Sequence, residues 1–408
     1  MYIHIGYLKS QMRLRNPEIT NNSDNIGSIL KHHRLRLNLT LEDSAEGICS
    51  ISYLSKIENS LIRPSQKYLL QLEERYNANF QFQPTTHQEV LNRLIENIFF
   101  EQNELMDEVL FEDENYQTKL NEIGYLMSQN SFETARQTHQ NLNPYIKNLN
   151  DIELGFYLFL TSKLLSRQGR LKEAFSILGH VNLDMDNLYL KLLIETEKFI
   201  LATKMNHHPY ISLSYEHLKF MLIENELYQK LNKIKFNYMT YLVQFIHESK
   251  LDEILERSKH YETYQKNYLR AKYYYEHMQY ELSFKLLKDQ MDDMHSYKLA
   301  LMSLNRLNQL KDIKKLIQNV DSIENTHLRI LIKYLQMKSN SKINIEEIVE
   351  FIQSEILKNN DLPDEIDYLN FWYEEGYMYL RKIGYYKDAT KLSHLIFRKF
   401  KDLSTNFD

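Results

Sequence analysis

From about Thr86 onward the chain repeats one pattern: an aromatic-rich helical segment, a short polar turn, then a second helical segment in which a small residue precedes an apolar one by four positions. The clearest copies are Gly155 to Leu178, Asn267 to Leu287, Tyr297 to Ile317 and Phe371 to Phe397, with an earlier one at Asn121 to Leu142. Measured at the second-helix positions Ala135, Ala174, Ile254, Ser283, Ile313 and Ala389, the intervals are 39, 80, 29, 30 and 76 residues. Halving the two long ones gives 40 and 38 and implies two further, more diverged copies. A unit of two helices every 30 to 40 residues cannot bury its own apolar face. It must stack on its neighbours. Nine Gly and six Pro in 408 residues leave few places to break a helix or turn a hairpin, so the chain is expected to be all-α.

Spacing of this kind resembles the tetratricopeptide repeat, and the last copy keeps part of that repeat's pattern in Trp372, Gly376, Tyr379 and Ala389. The resemblance implies a right-handed α-solenoid of helix pairs over residues 86–408, with a concave face suited to an extended peptide. Asparagine and tyrosine are the side chains to seek on that face, because one Asn amide can satisfy both the N–H and the C=O of a peptide unit. On the first helices of the pairs these are Asn237, Tyr241, Asn267, Tyr274, Asn305, Asn370 and Tyr373, the candidate peptide-binding residues.

Residues 40–65, TLEDSAEGICSISYLSKIENSLIRPS, read as two short helices around a tight turn. Thr40 is a good N-cap with Asp43 in the first turn, Leu41, Ala45 and Ile48 keep one apolar face, and Gly47 permits the turn. Ser50 caps a second helix in which Leu54 and Ile57 face inward while Ser52, Tyr53 and Lys56 lie on other faces; Asn59 and Ser60 end it before Arg63-Pro64. A preceding helix from Ile26 to Leu37, capped by Ser23 or Asp24, completes the unit.

The run LTxExxA, a turn, then SxxYLSKIEN and PS resembles the phage-repressor-like (XRE, Cro/C1) helix-turn-helix family across roughly Asn25 to Phe80. That resemblance implies an Arg34–Glu58 ion pair of structural role. It places base reading on Ser50, Ile51, Ser52 and Lys56, with Tyr53 and Asn59 as further contacts. Serine and lysine can bond base edges or phosphates, and Ile51 can touch a thymine methyl. Leu41 stands where such repressors often carry glutamine. Residues 1–80 hold ten basic and eight acidic side chains, too weak a charge for one module to grip DNA well, so a homodimer on a palindromic double-stranded operator is expected.

The remaining 328 residues carry 40 basic against 47 acidic groups and are not expected to wrap nucleic acid. A single cysteine, Cys49, is expected to be buried in the turn and allows neither an intrachain disulfide nor a thiolate metal site. No signal-like segment or long apolar run is present, so a cytoplasmic location without membrane contact is expected. The pairs His32-His33 and His207-His208 lack any metal-ligand spacing and are expected on the surface. No phosphate loop or nucleophile elbow occurs; neither an enzyme nor a cofactor is expected. Residues 1–24 form an extension, read either as a disordered segment or as an arm whose Lys9, Arg13 and Arg15 touch DNA phosphates. Val90 to Leu110 has a wide apolar stripe that suits a linker helix docked on the array or on a partner, or an ordinary core helix.

Three segments follow: residues 1–24, a helix-turn-helix domain at 25–80, and a repeat domain at 86–408. The combination resembles the RNPP peptide-pheromone-responsive regulators of Gram-positive bacteria, with the related Rgg and phage-borne regulators. The resemblance implies a dimeric transcription regulator controlled by a short signalling peptide in the repeat groove. The alternatives are a DNA-binding regulator whose repeats recruit a protein partner, and a tetratricopeptide adaptor that does not bind DNA.

Overall fold

The computed structural model describes residues 3–15, 17–20, 26–59, 61–78, 84–102, 104–106, 115–291, 293–318, 326–340, 342–358 and 362–404, and among them there is no strand. They form two compact units, one of residues 1–164 with 176–194, the other of 165–175 with 195–408.

The helices alternate as the repeat spacing demands. Pairs run Tyr116–Ser128 with Phe132–Asn141, Asp151–Arg167 with Leu171–Leu178, Leu188–Met205 with His208–Glu224, and Tyr228–Leu242 with Glu248–Arg257. They continue with Thr263–Glu276 and Tyr280–Leu287, then Met294–Arg306 and Leu310–Ile317. The two diverged copies are present. Counting 40 residues past Ala174 reaches Ser214 in His208–Glu224, and 38 past Ile313 reaches Phe351, which ends Ile345–Phe351; both side chains are buried. Ala135, Ala174, Ser283, Ile313 and Ala389 are all essentially inaccessible, as expected of positions where neighbouring helices approach.

Most of the pairs turn by the same device: a residue with positive φ follows the first helix at Asn130, Gly169, Asn206, Met278, Asn308 and Gly384, with Glu226 in the same role after a second helix, and the next N–H bonds back to a carbonyl five residues earlier, as Ser131 to Leu126 at 2.8 Å and Gln309 to Leu304 at 3.0 Å. This is the left-handed helix stop that glycine fills most easily and asparagine next. With so few glycines, the chain spends several of its asparagines on it.

The last pair begins with a helix from Ile366 that widens into a π-turn at Trp372–Tyr377 before Met378–Lys382. Gly376 lies inside this turn; a Cβ there would come within 3.1 Å of Leu392 on the facing helix Tyr386–Ser404 and 3.3 Å of the buried Trp372 ring. The tetratricopeptide-like Trp and Gly thus mark a close helix contact.

In the first unit, the helices Ile26–Arg36, Leu41–Ala45, Ile51–Glu58 and Gln66–Tyr76 close around Ile29, Leu30, Ala45, Leu54, Ile57, Leu72 and Tyr76. Both caps read from the sequence are in place. Thr40 and Asp43 form a reciprocal capping box, and the Ser50 hydroxyl accepts from the Tyr53 N–H at 3.1 Å. Gly47 takes φ +71° in the turn. The cap proposed at Ser23 or Asp24 lies outside the described residues.

Three expectations are corrected. Cys49 is half-buried rather than enclosed, with burial raising its thiol pKa. His207 is buried, and its ring caps helix His208–Glu224 by accepting from the Tyr210 N–H at 3.3 Å, which takes it off the surface. Residues 5–13 form a helix packed in the first unit: Ile3 and Leu8 are buried, Lys9 Nζ is 3.2 Å from Ser176 Oγ, and Arg15 bonds the Leu149 carbonyl and Asp151 at 2.6 Å each. Neither a disordered segment nor a free arm describes them. The last of these is decided by contacts with residues more than 130 positions away, which local pattern does not reveal.

In segment 90–110, helix Pro84–Phe100 buries Leu91, Leu94, Ile95 and Phe99, so that stripe is core; Leu105 is exposed, and Val109 lies outside the described residues.

Candidate functional site

Two features stand out, one in each unit. The first is helix Ile51–Glu58. The amphipathic pattern that buries Leu54 and Ile57 leaves Ser50, Ile51, Ser52 and Lys56 exposed together at its start and outer face. Tyr53 is half-buried against the head's core, edge-on to Tyr68 at 5.2 Å. Asn59, at the other end, is engaged by Lys147 Nζ through its side-chain oxygen. The chemically available group is therefore two hydroxyls, one branched apolar side chain and one cation, a set able to meet base edges and phosphates.

What holds this helix is the Arg34–Glu58 pair. Arg34 Nε and Nη2 donate to the two Glu58 carboxylate oxygens at 2.7 and 2.8 Å, and Nη1 reaches the Leu39 carbonyl at 3.0 Å. Glu58 is buried, and the hydrogen bond to it raises the Arg34 pKa. A bidentate pair of this kind fixes the relative rotation of the two helices it joins. Lys147, Asn148 and Tyr145, on the short helix Asn143–Asn148 of the same unit, meet the head at Asn59, the Glu58 carbonyl and Lys31, whose Nζ lies 5.2 Å over the Tyr145 ring. The head meets this short helix through the end of the displayed helix and through Lys31 on the helix Ile26–Arg36, and the start of the displayed helix is exposed.

The second feature is a cavity of about 270 Å³ in the other unit, bounded by helices Leu188–Met205, Tyr228–Leu242, Thr263–Glu276, Met294–Arg306 and Ile366–Phe371. One wall carries neutral polar groups: Thr203, Asn206, Asn237, Thr240, Tyr241 and Gln244. The Asn206 and Gln244 amides face each other at 3.3 and 3.4 Å, and the Tyr241 hydroxyl sits 2.5 Å from His208 Nδ1. The opposite wall is charged. Asp367 accepts from Lys298 at 2.8 Å and Lys272 at 3.2 Å, Glu365 pairs with Lys298, and Glu276 lies 3.3 Å from Lys272.

Burial alone would neutralise these groups, but pairing wins. Against the desolvation that would raise it, Lys272 and Lys298 hold the Asp367 pKa well below the carboxylate range; against the desolvation that would lower it, Asp367 and Glu365 hold Lys298 well above the lysine range. The network stays ionised and rigid at neutral pH, because breaking any one pair strands a buried charge.

Of the seven candidate peptide-binding residues, Asn237, Tyr241 and Asn370 line this cavity. Asn267 is half-buried on a bounding helix without lining it. The Tyr274 hydroxyl donates to Glu248 at 2.8 Å. Asn305 is buried, donating to Glu375 at 3.0 Å and accepting from Lys338 at 2.9 Å. Tyr373 is exposed and stacks on Tyr377 with ring centroids 5.4 Å apart.

Sequence reasoning missed the charged wall. One signal was available, Lys298 inside the apolar run YKLALM, since a lysine at a core position needs a buried acid. Its partners lie 67 and 69 residues away, beyond the reach of pattern.

Residues 30–83 match the helix-turn-helix family HTH_3, so the head is a helix-turn-helix domain. No curated protein matches the chain. Two solved structures align with it at 13% identity. One is the apo form of the quorum sensor NprR from B. thuringiensis, with a TM-score of 0.47, covering 80% of this chain and 99% of that one. The other is PlcR from Bacillus thuringiensis in complex with the peptide PapR7 and DNA, with a TM-score of 0.26, covering 72% and 99%. Among the described residues no helix is long and apolar enough to cross a membrane.

Proposed function

We propose that this protein is a transcription regulator that reads operator DNA with the start of helix Ile51–Glu58 and is controlled by a short peptide bound in the amide-lined cavity. The observation that carries the DNA half is the exposure of Ser50, Ile51, Ser52 and Lys56 on a capped helix within a helix-turn-helix domain. Tyr53 supports the helix from beneath, and Asn59 anchors its end. With two excess positive charges over residues 1–80, the head works as one half of a homodimer on a palindromic site.

The cavity suits a peptide because its neutral wall offers Asn237 and Gln244 amides beside threonine hydroxyls, groups able to pair with main-chain N–H and C=O, and Asn370 is exposed at its edge. A ligand controls DNA binding only if it binds one arrangement of the protein more tightly than another, and that difference sets the change in operator affinity.

Operator duplexes selected from genomic DNA test the first half. Ser52→Ala with Lys56→Ala should lower specific affinity by one to two orders of magnitude and flatten the salt dependence, at roughly 1–3 kcal/mol per base contact. Full affinity in that variant removes the assignment of the reading helix.

A further inference from the structure

The cavity holds one more lysine than carboxylate, and one of those lysines, Lys204, keeps its donors unused among the described residues. Four lysines (Lys204, Lys233, Lys272 and Lys298) line it against three carboxylates (Glu276, Glu365 and Asp367). Lys272 and Lys298 pair with the three carboxylates of the charged wall, which exceed them by one charge, and Lys204 lies within electrostatic reach of Glu365. Among the described residues, Lys204, near the end of helix Leu188–Met205, makes no hydrogen bond and no ion pair, although it is half-buried and lines the cavity. Glu365, whose charge it senses, already pairs with Lys298, and its other titratable neighbour is the cavity's His295, whose pKa is lowered by burial and then by Lys204 and Lys298. An ammonium whose donors are unused can bond a carboxylate that enters beside it.

Resting on the reading of this cavity as the peptide site, we infer that its ligand brings a carboxylate to Lys204, while the peptide's main chain lies along Asn206, Asn237 and Gln244. The carboxylate is either the ligand's C-terminus or an Asp or Glu side chain, and both present the same acceptor to the ammonium. Lys204 selects among peptides by charge, whereas the amide wall, which bonds only groups common to every peptide, does not. The reciprocal Asn206–Gln244 pair is what an incoming main chain opens, at the cost of two long, neutral amide hydrogen bonds.

Affinity-selection mass spectrometry on the full chain tests this with three synthetic heptapeptide pools: free-acid, C-terminally amidated, and amidated without Asp or Glu. The peptides retained by the unaltered protein should be enriched about tenfold or more for a carboxylate, as expected for one charge-assisted hydrogen bond. Retention from the free-acid pool alone identifies the C-terminus, and retention from the acid-containing amidated pool identifies a side chain. In Lys204→Gln the preference should collapse toward unity, and Lys204→Arg, which keeps the charge, should preserve it. Equal retention from the third pool, or an unchanged preference in Lys204→Gln, overturns the carboxylate inference and leaves the peptide reading standing. Retention from no pool overturns both.

Discussion

Removing Arg34 is the most informative single perturbation of the head, because the pair it forms is buried and bidentate. Arg34→Ala leaves the Glu58 carboxylate enclosed at 3% exposure without its bidentate partner, with only the more distant Lys31 and Lys147 as cations, and leaves the Leu39 carbonyl without its donor. Breaking a buried pair from one side costs about 3–5 kcal/mol. A head of some 55 residues holds, at roughly 0.05–0.15 kcal/mol per residue, only about 3–8 kcal/mol in total. Much or all of its stability should go. Hydrogen exchange read by mass spectrometry resolves this region by region: amides of residues 51–58 should lose protection by two to four orders of magnitude, those of the second unit should not change, and operator binding should fall in parallel. Arg34→Met with Glu58→Leu removes both charges and should recover most of the protection, since two apolar groups of similar size replace the pair without a stranded charge. Protection of residues 51–58 unchanged in Arg34→Ala, or a double variant as unstable as the single one, would refute the reasoning.

Three further outcomes follow from the same geometry. His139 is fully enclosed, 2.7 Å from Thr161 Oγ1 and stacked on Tyr157, and burial pushes its pKa down to about 3. Between that value and the ordinary 6.5 the unfolded chain holds a proton that the folded one refuses. Stability should therefore be fully present above pH 6.5 and fall by up to about 1.4 kcal/mol per unit as pH drops below it, with His139→Phe showing the shallower urea-midpoint profile. Gly169→Ala places a Cβ 2.0 Å from the His327 ring at φ +78°, whereas Gly384→Ala at φ +88° meets nothing within 4 Å. The second should cost only the backbone strain of about 1–2 kcal/mol and the first clearly more, so equal melting temperatures would contradict the contact. Asn237→Ala with Asn370→Ala should weaken peptide retention while leaving the DNA affinity of the unliganded protein unchanged; Asn305→Ala should instead lower stability, because it strips a donor from the half-buried Glu375.

Local chemistry was legible in the sequence wherever a cap, a period or a short helix face decided the outcome. The Thr40 and Ser50 caps, the inward Leu54 and Ile57, and the buried small residues at Ala135, Ala174, Ser283 and Ala389 all follow from spacing within one or two turns of chain. Contacts between distant segments were not legible. Arg15 pairs 134 residues away, and the charged cavity wall joins Lys272 and Lys298 to acids near residue 366. Asparagine also served two masters. Asn130, Asn206 and Asn308 stop helices with positive φ, and Asn305 sits in a buried polar network, so abundance of this residue was a poor guide to which copies face a ligand.

The most direct test of the whole account is a titration of one genomically selected operator duplex by fluorescence anisotropy, with and without a heptapeptide recovered by affinity selection, using the unaltered protein and Lys204→Gln. The peptide should shift operator affinity at least fivefold, in either direction, for the unaltered protein, and Lys204→Gln should need about tenfold more peptide for the same shift. Identical operator curves at saturating peptide would contradict it.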